Sequence, residues 1–528
     1  MASIKDIVEN PHWIYRRYNA YWDFLLQSYE GGLEYTNSQI SGTRNPSGIL
    51  EGLFNIFVNG KKQETPTLSG NLFQHTKERS DDYNRRVNMS YYYNFCDPII
   101  DIYNDHLFKK GITKDYGIID STIQQIDNDI DRVGSSIDEF RKSLAQKGQI
   151  YGHSYVVVDS PNLSKTEIIT RQDQINNRAF PYLSIYSPQN VLNWALDEFG
   201  FPYWVLLRET KDANSDIETF DKNRTQEVYY RVWTRNDWKL YDSKYQIIQE
   251  GINPIGRVPI VCVFNKKSDK ARNFLGISAI GDISFVARDI YNSCSELRQI
   301  LRDQTFAFLA LQGHADEYSE LELGTGKGIV YPPERNKPEY VSPPSSNAEV
   351  YFNHIDRQIA KIYQLAKLEG GSVKFSEESV TDGQSGISKA WDFNQTNSSL
   401  ATKASNLEDG ETRIWELVAL WEGKEFDGSI SYPDEFSISS LMADLTELEK
   451  ETRLQFGKTF NVEVRKAILQ KKFPRKEESE IDAMVEEIKT EFSAANNQAN
   501  DLASRVTSYF NNNRSTNTAT GGQNKQGA

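Results

Sequence analysis

Apolar residues recur every three or four positions in several N-terminal stretches, and this spacing predicts amphipathic helices. The first stretch covers residues 15–32 and ends at a glycine pair, which is a typical helix stop. Two further stretches cover residues 99–108 and 121–149. These three stretches are therefore predicted to be helices whose apolar faces pack in a core.

The pattern changes to alternation and to branched apolar runs after residue 150, which predicts strands. One strand is expected in 151–159, and three strands separated by turns in 179–209. Residues 227–241 read as a hairpin with Asn236 and Asp237 at the turn, and one more strand is expected in 257–264. Helices followed by strands predict an α+β body over residues 1–275.

Two later helices carry a coiled-coil-like stripe, in which apolar spacings of three and four alternate. The first lies in 276–303 and the second in 346–369, with a proline- and glycine-rich stretch between them that breaks any helix. Taken alone, such stripes favour two ordinary core helices in a monomer, although Val286 and Ile300 lie off the stripe and could meet a neighbouring subunit. The stripe residues are Ile283, Ala287, Ile290, Cys294 and Leu297 in the first helix, and Phe352, Ile355, Ile359 and Ile362 in the second.

A polar stretch follows the second of these helices, SVKFSEESVTDGQSGISKAW (372–391). A third long helix is predicted after it, to about Trp421, and a charged helical segment in 441–493. The remaining residues, 494–528, are polar and of low complexity, so disorder is expected there.

Composition narrows the class of protein. The chain of 528 residues has 60 basic and 74 acidic side chains, and a net charge of -14 argues against a general nucleic-acid binder. Its three cysteines are far apart, which fits a reducing compartment. The start of the chain has charges where a signal peptide needs an apolar core, and no apolar run approaches the length of a membrane span. The sequence therefore predicts a protein made in the cytoplasm, without contact to a membrane.

Candidate chemistry is weak throughout the chain. The stretch LELGTGKGIV (321–330) lacks the leading glycine of a phosphate loop, and Gly328 replaces its Ser or Thr, so a tight turn is the better interpretation. The carboxylates of 476–487 occur at solvent-facing helical spacings. No two histidines have the spacing of a zinc site; they are His12, His75, His106, His153, His314 and His354. We therefore predict no enzyme activity, no catalytic residue, no metal and no cofactor.

Several local motifs occur in an order that resembles one protein family. In chain order they are CDPIIDIYNDHLFKKG (96–111), KGQIYGHSYVVVD (147–159), PYLSIYSPQNVLNWALDEFGFPYWVLLRE (181–209), RVPIVCVFNKK with FLGISAIGDI, LGTGKGIVYPP (323–333) and DGQSGISKAWDF (382–393). Together with the body, the two helices and the polar stretch, they resemble the portal, or head–tail connector, proteins of tailed bacteriophages over roughly residues 15 to 490. No single motif is diagnostic, and the short C-terminal region departs from family members with long crowns.

The resemblance implies a portal-type fold, with an α/β wing, a two-helix stem, a small β-containing clip, a long wing helix and a helical crown. The corresponding segments are the wing at 1–275, a stem helix at 276–303, the clip at 304–345, a stem helix at 346–369, the tunnel loop at 370–386, the long helix and return to the wing at 387–440, the crown at 441–493 and the tail at 494–528.

The resemblance also implies a function and partners. The protein would form a ring, normally a dodecamer, at one capsid vertex of the virion, and double-stranded DNA would pass through its channel during packaging and ejection. Its partners would be further copies of itself, the major capsid or scaffold protein, the large terminase subunit, and head-completion adaptor or tail proteins. The terminase would hydrolyse ATP, which agrees with the missing phosphate loop.

The tunnel loop would then face moving DNA, and a polar stretch without a strong basic cluster suits weak, exchangeable contacts. An ordinary solvated loop is the alternative for each residue. The candidate DNA-facing residues are Lys374, Ser376, Ser379, Thr381, Gln384, Ser385 and Lys389. Three rival interpretations stay open, namely another virion neck or tail protein, a DNA-processing enzyme such as a nuclease or ligase, and a monomeric α+β binding protein.

Overall fold

The computed structural model describes much of the chain, and its contacts divide the protein into two units. One unit is Met1–Phe108 with Ile112–Phe436, and the other is Lys109–Gly111 with Ser437–Ala528. The described residues are 3–36, 70–161, 173–174, 178–212, 226–305, 308–310, 334, 336–337, 339–341, 346–368, 386–436, 466, 469 and 480–487.

Ten helices of the first unit are described. They are α1 (Ile4–Glu9), α2 (Trp13–Glu30), α3 (Gly32–Thr36), α4 (Ser80–Met89), α5 (Cys96–Leu107), α6 (Asp120–Ile126), α7 (Ile137–Tyr151), α8 (Gly281–Thr305), α9 (Ser346–Ala366) and α10 (Gly386–Trp421). None of these helices combines the length and the apolar character that a membrane span requires.

Twelve strands are described, in four antiparallel sheets. They are β1 (Thr113–Asp115), β2 (His153–Asp159), β3 (Tyr182–Tyr186), β4 (Val191–Leu196), β5 (Pro202–Asp212), β6 (Gln226–Thr234), β7 (Asp237–Tyr241), β8 (Ile247–Ile252), β9 (Ile260–Phe264), β10 (Phe308–Ala310), β11 (Glu339–Val341) and β12 (Ser429–Ser431). The strand orders are β4-β5-β6-β7-β8, β3-β2-β9, β10-β11 and β1-β12. Helices and sheets together confirm the prediction of an α+β protein.

The predicted single helix over residues 121–149 is wrong, because the chain turns between α6 and α7. The intervening stretch is rich in Asp, Asn, Gly and Ser, which favour turns, and Gly134 has a left-handed φ of 100°. Helix α7 then starts with a capping box, in which the Ser136 side chain accepts from the Glu139 N–H and Glu139 bonds back to the Ser136 backbone.

The hairpin β6–β7 forms as predicted, but its turn is one residue earlier. The two strands end and begin at Thr234 and Asp237, so Arg235 and Asn236 make the turn. The Thr234 hydroxyl accepts hydrogen bonds from the N–H groups of Asn236 (3.2 Å) and Asp237 (3.0 Å), which fixes the turn at this position.

The three-stranded sheet β3-β2-β9 lies at the centre of the core. Strand β9 is buried along its whole length, as is β2 up to its last residue. Helix α7 packs on β2 and α10 packs on β9. A side chain at Gly410 would bring its Cβ within 2.8 Å of Val263, so this glycine permits the close packing of α10 on β9.

The start of α8 is fixed to the same sheet by two glycines from distant motifs. Gly152 has a φ of 93°, and a Cβ on Gly276 would lie 2.0 Å from the Gly152 carbonyl oxygen. The Asn265 side chain also donates to the Ile277 carbonyl at 2.8 Å. The segment that precedes α8 therefore packs closely against Gly152, the residue before the start of β2.

The second unit is described only in part. Residues 480–487 are helical, with Ile481 and Val485 buried, and Lys466 pairs with Asp482 at 2.9 Å. The helix agrees with the helical character predicted for 441–493, whereas the predicted tail 494–528 lies outside the described residues.

Candidate functional site

Helices α8 and α9 form an antiparallel pair. The short strands β10 and β11 lie between them in the sequence and pair with each other. Two bonds join the helices: the Tyr351 hydroxyl donates to Glu296 Oε2 at 2.6 Å, and His354 Nε2 lies 2.8 Å from Asp289 Oδ2. In β10–β11, Phe308 lies opposite Val341 and Ala310 opposite Glu339. This arrangement of helix, strand pair and helix begins at the segment that packs Gly276 against Gly152.

The predicted stripe of α8 lies on the buried face of that helix. Ile283, Ala287 and Ile290 are each 1% exposed and Leu297 is 7% exposed, while Cys294 is half-buried. Burial raises the pKa of the Cys294 thiol, so this cysteine is not a reactive thiolate at neutral pH. Val286 and Ile300, which lie off the stripe, are both half-buried.

The stripe predicted for α9 holds only in part. Ile362 is fully buried and Ile355 and Ile359 are half-buried, but Phe352 is 51% exposed. Tyr351 is the residue that turns toward α8, and Phe352 is rotated by about 100° from it around the helix. Phe352 is therefore not part of the buried face, and the sequence spacing alone did not distinguish these two aromatic neighbours.

Large apolar side chains stay exposed on both helices of the pair. Phe285 and Leu301 of α8 are each 41% exposed, and Val350 of α9 is 67% exposed. With Phe352 they make four exposed large side chains on two adjacent helices. Scattered exposed apolar residues are common, and the body has its own, such as Val133 and Ile252.

Most predicted DNA-facing residues lie outside the described residues, so their placement stays a prediction. These are Lys374, Ser376, Ser379, Thr381, Gln384 and Ser385. Lys389 was predicted in the loop, but α10 begins at Gly386, so its backbone is in the first turn of that helix. The observed start at Gly386 is one residue before the start predicted for the long helix, residue 387.

The two helices that flank residues 369–385 are tied to each other and to the body. The Thr396 hydroxyl of α10 donates to the Lys367 carbonyl just after α9, and the Tyr103 hydroxyl of α5 donates to the Ala366 carbonyl. These two hydrogen bonds therefore hold the end of α9 and the first half of α10 in place.

Lys403 of α10 is buried without a carboxylate partner among the described residues. Its Nζ donates to Asn265 Oδ1 at 2.6 Å and lies 5.0 Å from the centre of the Tyr103 ring. Burial, together with the nearby charges of Lys367 and Lys266, lowers the pKa of Lys403 to about 7. A small cavity beside it is also lined by Gln149, whose buried side-chain oxygen has no hydrogen-bond partner. Sequence reasoning missed this lysine, which lies within the predicted third long helix.

A buried ion pair anchors the other half of α10. Arg141 Nε of α7 donates to Glu411 Oε1 at 2.8 Å, and both side chains are almost completely buried. Trp415 Nε1 donates to the same oxygen at 3.0 Å, and the Tyr432 hydroxyl donates to Glu411 Oε2 at 2.7 Å. Burial and the Glu411 charge raise the pKa of Tyr432 well above its usual value. Each donor and acceptor of the pair is thus satisfied, as buried charges require.

The described residues contain no group of three or more His, Cys, Asp or Glu that could hold a metal ion. His153 is fully buried, and burial lowers its pKa to about 3, so it is neutral. His12 caps α2 through Nδ1 and stacks on Trp194 at 4.0 Å. These two histidines have structural roles. The glycine-rich stretch at 321–330 lies outside the described residues.

Comparison with known proteins gives structural similarities only. No family model matches the chain, and no curated protein matches it. A solved structure described as the neck of an empty gene transfer agent (GTA) particle, computed with C6 symmetry, is 10% identical with a TM-score of 0.38, covering 70% of this chain and 88% of that chain. The neck of a native GTA particle, computed with C12 symmetry, is 11% identical with a TM-score of 0.33 and the same coverage. At these values the similarities alone establish neither fold nor function.

Proposed function

We propose that this protein is the portal protein of a tailed-phage-like particle. It forms a ring of about a dozen copies at one capsid vertex and conducts double-stranded DNA inward during packaging and outward during ejection. The observation that carries the proposal is the order and placement of parts after the body: a fixed entry into α8, a small β pair, α9, a polar stretch, and α10 returning onto the central sheet.

The exposed apolar side chains of the helix pair support ring formation. Phe352 and Val350 are exposed in the single chain, and a ring would supply a neighbour that covers them. The overall charge of -14 also suits a channel that does not grip DNA, because dense basic clusters would bind the duplex tightly by releasing many counterions.

The remaining parts take their roles from the family resemblance. The segment 304–345 would contact the terminase and later an adaptor or tail protein, and the body would contact the capsid shell. The residues 370–386 would line the channel. The protein itself would catalyse no reaction and would need no cofactor.

The DNA-conducting role is tested by reversing two charges, Lys374→Glu with Lys389→Glu. Rings should still assemble, because neither change touches the buried faces of α8 or α9. The amount of nuclease-protected DNA in particles built with this variant should change, because about two dozen charge reversals would then face the duplex.

The matched control reverses two exposed lysines of the body, Lys142→Glu with Lys244→Glu, and should leave packaging unchanged. Loss of the rings themselves in the Lys374/Lys389 variant would show that the stretch is structural. Normal packaging and retention in that variant would contradict a channel position for these lysines and would favour another neck component.

A further inference from the structure

Arg288, in the middle of α8, lies against three aromatic rings. Its guanidinium carbon is 4.8 Å from the ring centre of Phe24, 5.2 Å from that of Phe73 and 5.2 Å from that of Phe285. We call Arg288 and these three phenylalanines the arginine socket. The rings hold the guanidinium by cation–π contacts and occupy none of its N–H donors.

The charge of the socket has no counterpart among the residues that the structure describes. Among the described residues, Arg288 forms no ion pair, and no carboxylate or carbonyl accepts from its side chain. A largely buried cation without an anion is unfavourable, and burial lowers the pKa of Arg288 accordingly. With respect to the described residues, the guanidinium therefore presents oriented N–H donors that no acceptor satisfies.

The socket opens toward solvent through its aromatic wall. Phe73 is 37% exposed and Phe285 is 41% exposed, and Tyr21 stacks on Phe285 with ring centres 6.2 Å apart. Arginine surrounded by aromatic rings is the composition of energetic hot spots in protein interfaces. An apolar rim of this kind suits a protein surface better than DNA, whose interfaces are polar and strongly basic.

A complementary surface lies on α5. Asp97, Asp101 and Asp105 recur every four residues along that helix, and none of the three forms an ion pair among the described residues. Burial and the charges of Asp97 and Asp105 raise the pKa of Asp101. Like charges at this spacing repel each other, so the acidic strip, as we call these three residues, is unfavourable in the isolated chain.

We propose that the arginine socket of one copy binds the acidic strip of the next copy around the ring. The inference rests on the proposed function, because it assumes that copies of this chain associate side by side. In a ring, each copy would offer its socket to one neighbour and its strip to the other, which makes the contact heterologous. A guanidinium fork binds a carboxylate with two parallel hydrogen bonds, which would fix the angle between neighbours.

The test uses three variants of the full chain, Arg288→Gln, Arg288→Glu, and Arg288→Glu combined with Asp101→Arg. The ring fraction is measured by native mass spectrometry and the unfolding midpoint is measured on dissociated subunits. Arg288→Gln should lower the ring fraction about tenfold or more without lowering the midpoint, because it removes a largely buried, unpaired charge. Arg288→Glu should abolish rings, and the charge exchange with Asp101→Arg should restore them. The control is Arg302→Gln, an exposed arginine of the same helix.

Each other outcome counts against the proposal. Rings of normal abundance in Arg288→Gln would overturn it while leaving the proposed function intact. Rings lost in Arg288→Glu and not restored by Asp101→Arg would overturn the pairing with the strip. Normal rings with altered DNA retention in Arg288→Gln would identify a phosphate as the ligand. A wild-type chain that forms no rings would overturn the proposed function as well.

Discussion

The core around the central sheet and the solvent-facing sides of the α8–α9 helix pair treat their large apolar side chains in opposite ways. In the body, Trp22, Trp233 and Trp415 are all at most 1% exposed, and the polar groups of α10 find buried partners. In the helix pair, one face is buried while Phe285 and Phe352 project into solvent. The comparison teaches that the core of the body is closed within one chain, whereas the solvent-facing sides of the helix pair are not covered by that chain.

The largest expected effect separates the two faces of the helix pair. Ile290→Asp places a carboxylate at a position that is 1% exposed, and it should lower the free energy of unfolding by more than about 4 kcal/mol. Phe352→Asp, on the exposed side of α9, should lower it by less than about 0.5 kcal/mol. Urea unfolding of both variants measures the difference, and equal effects would contradict the assigned faces.

The next prediction concerns the body, where two carboxylates of α10 are two residues apart. Glu411→Ala leaves the buried Arg141 charge without a partner and should cost about 3–5 kcal/mol. Asp409→Ala breaks only the exposed pair with Lys267 and should cost at most about 1 kcal/mol. Unfolding by urea compares the two variants; similar losses would mean that the Arg141–Glu411 pair is solvated.

The buried Lys403 predicts that the stability of the folded chain depends on pH. The pKa of Lys403 is about 7 in the folded chain against 10.5 ordinarily, so between these values only the unfolded chain carries the proton. Stability should therefore rise with pH across this window, by up to about 1.4 kcal/mol per pH unit, and should be flat below about pH 7.

The Lys403→Met variant should lack this slope. The unfolding free energy of wild type minus that of the variant should therefore increase as the pH is raised from about 7 to about 10. Lys267→Met, which changes an exposed lysine, is the control and should run parallel to wild type. Parallel curves for Lys403→Met would indicate that Lys403 stays charged in the fold.

The smallest expected change in subunit stability comes with a large change in assembly. Phe352→Ser removes an exposed ring and should alter the unfolding free energy by less than about 0.5 kcal/mol. The fraction of assembled protein in sedimentation velocity should nevertheless fall, because the ring would lose its apolar contact with a neighbour. Unchanged assembly would mean that this end of α9 faces solvent in the particle too.

Local pattern predicted the elements well where one face of a helix or strand is buried. The spacing of Ile283, Ala287 and Ile290 identified the buried face of α8, and alternation identified the β6–β7 hairpin. Local pattern failed where turn residues interrupt an apparently periodic stretch, as between α6 and α7, and where two neighbouring aromatic residues, Tyr351 and Phe352, compete for one face.

The side chains that join distant segments could not be predicted from local pattern. Arg141 and Glu411 are 270 residues apart in sequence, and Lys403 meets Asn265 across 138 residues. The local sequence does not distinguish Arg288 from an exposed helix arginine, because two of its three phenylalanine neighbours, Phe24 and Phe73, come from distant segments. The sheet topology brings such groups together, and spacing along the chain does not encode it.

The most direct test of the central claim is the mass and symmetry of the purified protein, by native mass spectrometry with negative-stain imaging. The account predicts a closed ring of about a dozen copies with a central hole wide enough for a DNA duplex. A stable dimer or a closed tetramer without a channel would contradict it.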